Sequence, residues 1–248
     1  MSAPRLSVVI PAYNEARRLP RTLERLASYL DGRLSYELLV VDDGSRDGTA
    51  DAARGAVAPP PSVLRHEPNR GKGYAVRQGM AAARGERVLM TDADLSSPIE
   101  ELPRLMAALD GGYQVAIGSR AAPGAQIEVH QPWRREWSGR AFNVCVRLLA
   151  LPGIADTQCG FKLFDGEAAR QVFPRCRLDG FAFDVEALFV ARRLGYRIAE
   201  VPVRWRNDDA TRVSLLAGAR AFADLARLRL DAWRGRYASG PAREGGTG

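Results

Sequence analysis

Short apolar runs alternate with longer amphipathic segments through the first 120 residues, and this alternation constrains the fold more than any other feature. The apolar runs read LSVVI, YELLVVD, SVLRH, RVLMTD and YQVAIGS, with a helix-length segment between successive runs. Strands separated in this way are typical of right-handed crossovers and of a parallel sheet buried on both faces. We therefore predict an α/β protein with a mostly parallel central sheet and helices on both faces.

The second half of the chain is less regular. The stretch RAAPGAQIEVHQPWRR predicts a loop, DTQCGFKLF predicts a strand or turn, and RIAEVPV predicts a strand. Three helices are expected, over about 136–151, 184–194 and 214–234. We expect one domain over residues 1–236, with halves at about 6–120 and 121–236, and a disordered tail over 237–248.

Composition limits the partners and the kinds of site. The net charge is +7, mostly from arginine, which favours an anionic partner such as a phosphate, a nucleic acid or an acidic lipid surface. Cys145, Cys159 and Cys176 form no CxxC pair, which indicates a reducing compartment. His66 and His130 lack metal-binding spacing, so a hard metal must be bound by carboxylates. We interpret all five residues as structural.

Four of the predicted strands end in polar or turn-forming loops, PAYNE, DDGSRDG, HEPNRGKG and DADLSSP. In open α/β sheets, ligands bind beyond the carboxyl ends of the strands. We therefore expect these four loops to converge on one crevice.

Asp92 and Asp94 are the most informative pair in these loops. Residues i and i+2 of an extended segment point to the same side, so both carboxylates can face one point. A divalent cation makes that arrangement favourable, and oxygen ligands suit Mg²⁺ or Mn²⁺. Taken alone, the short DxD pattern favours an ordinary loop with helix-capping acids.

The neighbouring loops supply further candidates. Asp42 and Asp43 end a strand, where Asp43 can bind a base or a ribose, and Tyr13 can lie against a nucleobase. The glycines around Lys72 suggest an anion site at a helix N-terminus. The alternative is that these residues only form turns and that Tyr13 is a half-buried loop residue.

Taken together, VVIPAYNE, VVDDGSRDGT, NRGKGYAVRQG and DADLSSP resemble glycosyltransferase family 2, enzymes of the GT-A fold that use nucleotide sugars. The segments DTQCGFKLF, FAFDVE and EVPVRW are similar to the polyprenyl-phosphate branch, and most similar to its dolichyl-phosphate-glucosylating members. The resemblance covers about residues 6–235. It implies a GT-A fold, with a donor-binding half followed by an acceptor and membrane-facing half.

The resemblance also implies functional residues. It implies a nucleotide-sugar site formed by Pro11, Tyr13, Glu15, Asp42, Asp43, Lys72, Asp92 and Asp94. Within this site, Asp92 and Asp94 would act through Mg²⁺ or Mn²⁺. Asp94, Asp156 and Asp184 would lie at the reacting centre.

Chemistry favours a phosphate as the acceptor. A phosphate monoester with a second pKa near about 6 is largely dianionic at neutral pH, so it can attack without a general base. Bidentate arginines suit such a group, and our candidates among them are Arg120, Arg135 and Arg212. For any single arginine, a solvated surface role is the alternative.

Contact with a membrane surface is a further expectation. The sequence shows no signal peptide and no apolar run long enough to span a bilayer, so we expect a protein that is soluble or lies on the cytoplasmic face of a membrane. The segment REWSGRAFNVCVRLLAL mixes apolar residues with arginines. It can pack against the core, lie at a lipid surface, or do both with different faces.

The sequence therefore predicts an inverting, metal-dependent glycosyltransferase that moves glucose from UDP-glucose to a polyprenyl phosphate. Within the enzyme class, the alternatives are a GDP-mannose donor or a soluble acceptor. A non-catalytic sugar-nucleotide or nucleic-acid binder is the alternative from another class. We expect no nucleic-acid partner, because no helix-turn-helix, RNP-like strand or zinc module is visible.

Overall fold

The computed structural model describes residues 3–129, 143–206 and 215–237. Its nine strands are β1 (Leu6–Ala12), β2 (Tyr36–Asp43), β3 (Ser62–His66), β4 (Arg87–Thr91), β5 (Val115–Ser119), β6 (Gln126–Val129), β7 (Phe161–Asp165), β8 (Ile198–Pro202) and β9 (Arg204–Arg206). Its α-helices are α1 (Leu19–Leu30), α2 (Thr49–Arg54), α3 (Lys72–Ala82), α4 (Leu102–Asp110), α5 (143–149), α6 (Gly166–Val172), α7 (Phe183–Arg193) and α8 (Leu215–Trp233). Short 3₁₀ turns occupy Ile99–Glu101 and Phe173–Arg175.

Seven strands form one sheet in the order β3-β2-β1-β4-β7-β5-β8. All are parallel except β7, which runs antiparallel to both β4 and β5. The predicted α/β fold with a mostly parallel sheet is therefore confirmed. The antiparallel strand comes from the irregular second half of the sequence, so strands from the two halves interleave in one sheet.

Helices cover both faces of the sheet. Along β1, Val8 and Ile10 pack with α1 and α4 on one face, whereas Val9 packs with α3, α6 and α7 on the other. A strand buried on both sides explains why the apolar runs in the sequence are continuous rather than alternating.

Two expectations about the second half are wrong in detail. Residues 126–129, within the predicted loop, form β6 and pair with β9 in a separate two-stranded sheet. Tyr237, which we expected to begin the tail, is buried and donates a hydrogen bond to Glu186 Oε1 (2.5 Å). Of the predicted helix over 136–151, only 143–149 can be assigned, because residues 130–142 lie outside the described part of the chain, as does the expected tail beyond residue 237.

Helices α5 and α8 carry apolar side chains both on the side that faces the core and on the side that faces solvent. Val146 and Leu225 are buried in the core, whereas Leu148 is 79% exposed and Trp233 is 86% exposed. Among the described residues, no helix is long and apolar enough to cross a membrane.

Candidate active site

The loops after β1 and β2 are joined by hydrogen bonds. The Asn14 amide donates to Ser45 Oγ (2.9 Å), and the Arg46 amide donates to Asn14 Oδ1 (2.9 Å). Asn14 has φ +55°, a left-handed conformation that Asn accepts more readily than most residues. Tyr13 beside it is 47% exposed, so its ring is accessible to a ligand.

The other candidates in the first loop differ in exposure. Pro11 is buried within β1. The Glu15 carboxylate lies between buried and exposed and receives a bidentate ion pair from Arg18, at 2.7 and 2.6 Å. The Glu15 amide donates to Thr49 Oγ1 (2.8 Å), which ties the start of this loop to α2.

Asp43 organises the loop between β3 and α3. Its carboxylate accepts hydrogen bonds from the amides of Arg70 and Gly71 (both 2.8 Å) and from Asn69 Nδ2 (2.9 Å). His66 Nε2 lies 2.6 Å from Asp43 Oδ1. Because Asp43 is buried and its oxygens are engaged by this loop, it shapes the third loop around the crevice. The buried neighbour, Asp42, accepts from the Ser45 amide (2.9 Å).

Backbone amides at the N-terminus of α3 already have partners within the protein, so the anion site expected there depends on the Lys72 side chain and stays a prediction. The Gly73 amide donates to the Asp179 carbonyl oxygen (2.8 Å), and the Gly71 amide donates to Asp43, so these N–H groups already have partners. A Cβ atom at Gly73 would lie 2.4 Å from the Leu178 carbonyl oxygen. The glycines of NRGKG therefore allow residues 178–180 to approach this helix end.

Lys72 supplies the positive charge of this loop. Its Nζ lies 2.6 Å from Asp92 Oδ1. Burial lowers the pKa of Lys72, but the carboxylates of Asp92, Asp184 and Asp94 outweigh burial and raise it to about 12. The crevice therefore holds an ammonium group that is charged at neutral pH beside the two carboxylates of the DxD pattern.

The DxD carboxylates leave the sheet at the end of β4. Asp94 Oδ1 accepts a hydrogen bond from the Ser96 amide (2.9 Å), and Leu95 between them has φ +47°. The Asp92 carboxylate lies against Gly160, where a Cβ atom would come 1.9 Å from Asp92 Oδ2. The glycine of DTQCGF thus creates the space that Asp92 occupies.

Asp156, which is buried, forms an ion pair with the partly exposed Arg120. The guanidinium contacts both carboxylate oxygens, with Nε 2.7 Å from Oδ2 and Nη2 2.8 Å from Oδ1. Burial raises the pKa of Asp156, but the Arg120 contacts outweigh burial and hold it below its ordinary value. Glu200 supports the turn by accepting from the Asp156 amide (2.9 Å).

Asp184 pairs with a buried cation, Lys162. Lys162 Nζ lies 2.5 Å from Asp184 Oδ1. Burial raises the pKa of Asp184 above its ordinary range, although Lys162 and Lys72 oppose the change. The pKa values of Asp156 and Asp184, two of the three acids that the resemblance assigned to the reacting centre, are thus shifted in opposite directions.

These contacts link the four predicted loops, so their expected convergence is confirmed. The first two loops meet at Asn14 and Ser45, the second and third at Asp43, and the third and fourth at Lys72 and Asp92. Arg135 and Arg212 lie outside the described residues. Arg120 is described, and its guanidinium is paired with the Asp156 carboxylate. Its binding of an acceptor phosphate stays a prediction.

Asp92 and Asp94 fit a Mg²⁺ or Mn²⁺ ion that takes its other ligands from water and from a diphosphate. Carboxylate oxygens are suitable ligands for these hard cations, and Mg²⁺ is commonly bound by only one or two carboxylates plus substrate phosphates. Within residues 3–129, 143–206 and 215–237, no group of three or more acidic, His or Cys residues forms a larger cage. The donor set therefore matches a metal shared with a substrate.

Comparison with known proteins identifies the family. Residues 7–173 match the profile described as Glycosyl transferase family 2. The chain belongs to glycosyltransferase family 2. Dolichyl-phosphate beta-glucosyltransferases from Dictyostelium discoideum and Homo sapiens are each 36% identical to it, over 90% and 92% of this chain and 73% and 77% of theirs. The predicted family is confirmed.

Solved structures of other enzymes share the fold of this family 2 glycosyltransferase. Glucosyl-3-phosphoglycerate synthase from Mycobacterium tuberculosis, in complex with Mn²⁺, UDP-glucose and phosphoglyceric acid, matches with a TM-score of 0.71 at 22% identity, over 91% of this chain and 80% of that one. Mannosyl-3-phosphoglycerate synthase from Rubrobacter xylanophilus matches with a TM-score of 0.69 at 20% identity, over 98% and 79%. The predicted GT-A architecture is confirmed.

Sequence reasoning missed Lys162, Gly160 and His66 as parts of this site. Lys162 had a signal, because only two of the 36 basic residues in the chain are lysines and the other is Lys72. It also stands between apolar residues, Phe161 and Leu163, in a strand that the structure buries, and a buried charge is more informative than a buried hydrophobic residue. His66 gave no such signal, since its pairing with Asp43 depends on the parallel register of β2 and β3.

Proposed function

We propose that this enzyme transfers glucose from UDP-glucose to a polyprenyl, dolichyl-type phosphate, with inversion at the anomeric carbon. The observation that carries the proposal is the crevice in which Lys72, Asp92 and Asp94 meet at the ends of β3 and β4. The names of the relatives that are 36% identical over about nine-tenths of the chain support the choice of donor and acceptor.

The donor half of the proposal assigns roles to the four loops. Tyr13 stacks on the uracil ring, and the frame of Pro11, Glu15, Asp42 and Asp43 shapes the nucleoside pocket around it. Asp92 and Asp94 hold the Mg²⁺ or Mn²⁺ ion. When bound, the metal stabilises negative charge on the departing nucleoside diphosphate, and the Lys72 ammonium adds positive charge beside it.

The acceptor half follows from the chemistry of a phosphate monoester. A phosphate oxygen attacks the anomeric carbon as the bond from that carbon to the UDP oxygen breaks, so UDP leaves with the electron pair and no proton needs to move. The protein must hold two anionic groups close together. We assign the acceptor phosphate to Arg120, Arg135 and Arg212, and the orientation of the reacting centre to Asp156, Asp184 and Asp94.

We place the membrane contact on helices α5 and α8, on the cytoplasmic face of a membrane. Both helices bury one side in the same core cluster and expose large apolar residues, Leu148 and Trp233 among them. Arg227 on α8 is 60% exposed and can attract anionic headgroups. An exposed apolar side flanked by arginines suits an interfacial helix.

Radiolabel transfer tests the reaction. Purified enzyme is incubated with polyprenyl phosphate and either UDP-glucose or GDP-mannose, with Mg²⁺, with Mn²⁺ or with chelator. Metal-dependent label in the lipid from UDP-glucose alone is the expected result. Asp92→Asn should abolish it, whereas Asp51→Asn, at an exposed position on α2, should not. Lipid label from GDP-mannose would overturn the donor, and metal-dependent donor hydrolysis without lipid label would overturn the acceptor.

Vesicle flotation tests the membrane contact separately. The enzyme is expected to float with phosphatidylcholine vesicles that contain phosphatidylserine, and a Leu148→Ser/Trp233→Ser variant is expected to float less. Tyr113→Ser is the matched control, because Tyr113 is an exposed aromatic residue on another part of the surface. Equal flotation of all three proteins would contradict the assignment of the contact to these helices.

A further inference from the structure

Lys162 is a buried cation in the middle of the sheet. It lies on β7, opposite Met90 of β4 and Ile117 of β5, and is 1% exposed. It is also one of only two lysines in a chain that uses arginine for its other 34 basic positions. Burying an ammonium group is costly unless it is paired and hydrogen-bonded, so its partners explain why it is there.

The two partners of Lys162 come from two different segments of the candidate site. Lys162 Nζ lies 2.5 Å from Asp184 Oδ1, near the start of α7, and 2.5 Å from the Cys159 carbonyl oxygen. Cys159 directly precedes Gly160, whose backbone lies against the carboxylate of Asp92. One ammonium group therefore joins Asp184 to the turn that supports Asp92.

We propose that Lys162 is a positioning residue for glycosyl transfer, which fixes the Asp184 carboxylate and the Cys159–Gly160 turn relative to Asp92. The inference rests on the proposed function, because that function assigns Asp92 and Asp184 to the reacting centre. The second lysine, Lys72, contacts Asp92 from the other side. One lysine of the chain thus contacts Asp92 and the other contacts Asp184.

The geometry also explains why this position is not an arginine. Two oxygen atoms lie 2.5 Å from a single nitrogen inside a packed sheet. Lysine presents a compact point charge, whereas arginine presents a wider planar group with a fixed fork. Lys162→Arg is therefore expected to displace either Asp184 or the Cys159–Gly160 backbone, and to lose activity although the charge is kept.

A double-mutant cycle tests the proposal. Lys162→Met is expected to lower kcat about 100-fold, the scale of a misplacement of about 1 Å, with the KM for the donor within about threefold of wild type. Asp184→Asn is expected to lower kcat at least as much. Because Lys162 acts partly through Asp184, the double variant is expected to lose less in kcat than the product of the two single losses. Multiplying losses, or a folded Lys162→Met enzyme with normal kcat, would overturn the proposal.

The double variant also covers the case in which Lys162→Met fails to fold. Removing one member of a buried pair leaves an uncompensated charge, whereas removing both does not, so the double variant should recover the unfolding midpoint without recovering kcat. Recovery of kcat together with stability would overturn the proposal, since it would show a merely structural pair. Wild-type enzyme that transfers no glucose would instead refute the proposed function.

A spectroscopic measurement adds a readout independent of turnover. Enzyme labelled with ¹⁵N at lysine Nζ contains only two such side chains. Asp184→Asn is expected to shift the Lys162 resonance more than that of Lys72, and addition of UDP with Mg²⁺ is expected to shift that of Lys72 more. A Lys162 resonance unmoved by Asp184→Asn would overturn the assignment of its partner.

Discussion

Replacing Gly160 with alanine tests whether the close packing of Gly160 against the Asp92 carboxylate is needed for activity. The added Cβ atom would lie 1.9 Å from Asp92 Oδ2 and 2.4 Å from Asp92 Cγ, although Cβ contacts shorter than 3.0 Å are essentially never seen. Either the new Cβ atom or the Asp92 carboxylate must therefore move by about 1.1 Å, the difference between 1.9 Å and the 3.0 Å limit. The next residue, Phe161, is paired with Thr91 in the sheet, so we expect Asp92 to move rather than the turn.

The expected loss follows from this displacement. A misplacement of about 1 Å can cost about 100-fold in rate, which corresponds to about 2.7 kcal/mol of transition-state stabilisation. Gly160 has no positive φ, so its backbone conformation accepts alanine. We therefore expect kcat/KM for UDP-glucose to fall about 100-fold while the far-UV circular dichroism spectrum stays unchanged.

The matched control is Gly55→Ala, after α2. A Cβ atom there meets only the Asp51 carbonyl oxygen, at 3.7 Å, and the residue has φ −89°. This variant is expected to match wild type in kinetics and metal dependence. A Gly160→Ala enzyme with wild-type kcat/KM would refute the reasoning, because Asp92 would then not require the space beside Gly160.

Three further predictions concern single side chains. Lys72→Met is expected to lower kcat/KM for the donor by about 100-fold. Since the pKa of Lys72 is about 12, deprotonation of Lys72 should not change wild-type activity between about pH 6 and 9; a loss within that range that is absent from Lys72→Met would contradict this. Arg120→Gln is expected to cost about 3–5 kcal/mol in urea unfolding at pH 7. Because the pKa of Asp156 is lowered, the stabilisation is present above its ordinary value and lost as pH falls through the folded pKa, so a difference that persists at strongly acid pH would contradict the pairing. Tyr237→Phe, which removes the hydroxyl bound to Glu186, is expected to lower the unfolding free energy by about 1.5–3 kcal/mol while leaving the affinity for UDP unchanged, as isothermal titration calorimetry would show.

The sequence predicts the first half of the chain better than the second. Continuous apolar runs identify strands buried on both faces, and the loops after them converge because the carboxyl ends of parallel strands meet at one edge. Asp92 and Asp94 follow from that rule. Their contacts with Lys72 and Gly160 also depend on which strands become neighbours in the sheet.

The second half of the chain is harder to predict because its contacts are distant in sequence. Arg120 and Asp156 are 36 residues apart, and Arg77 and Asp179 are 102 apart. The partners of the α3 amides were missed for the same reason, since local spacing cannot show that the Asp179 carbonyl lies at the helix end. The short strand β6 was likewise missed because its partner, β9, is far along the chain.

The position of β7 has a consequence for the nascent chain. On the ribosome, β1 to β4 can pair as soon as they emerge, but β5 has only β7 and β8 as neighbours in the main sheet. Until residues 161–165 are synthesised, the apolar strand VAIGS has no hydrogen-bonding partner there. Unpaired apolar strands are prone to aggregate, so the interval between translation of residues 119 and 165 is the stage at which this enzyme most needs a chaperone.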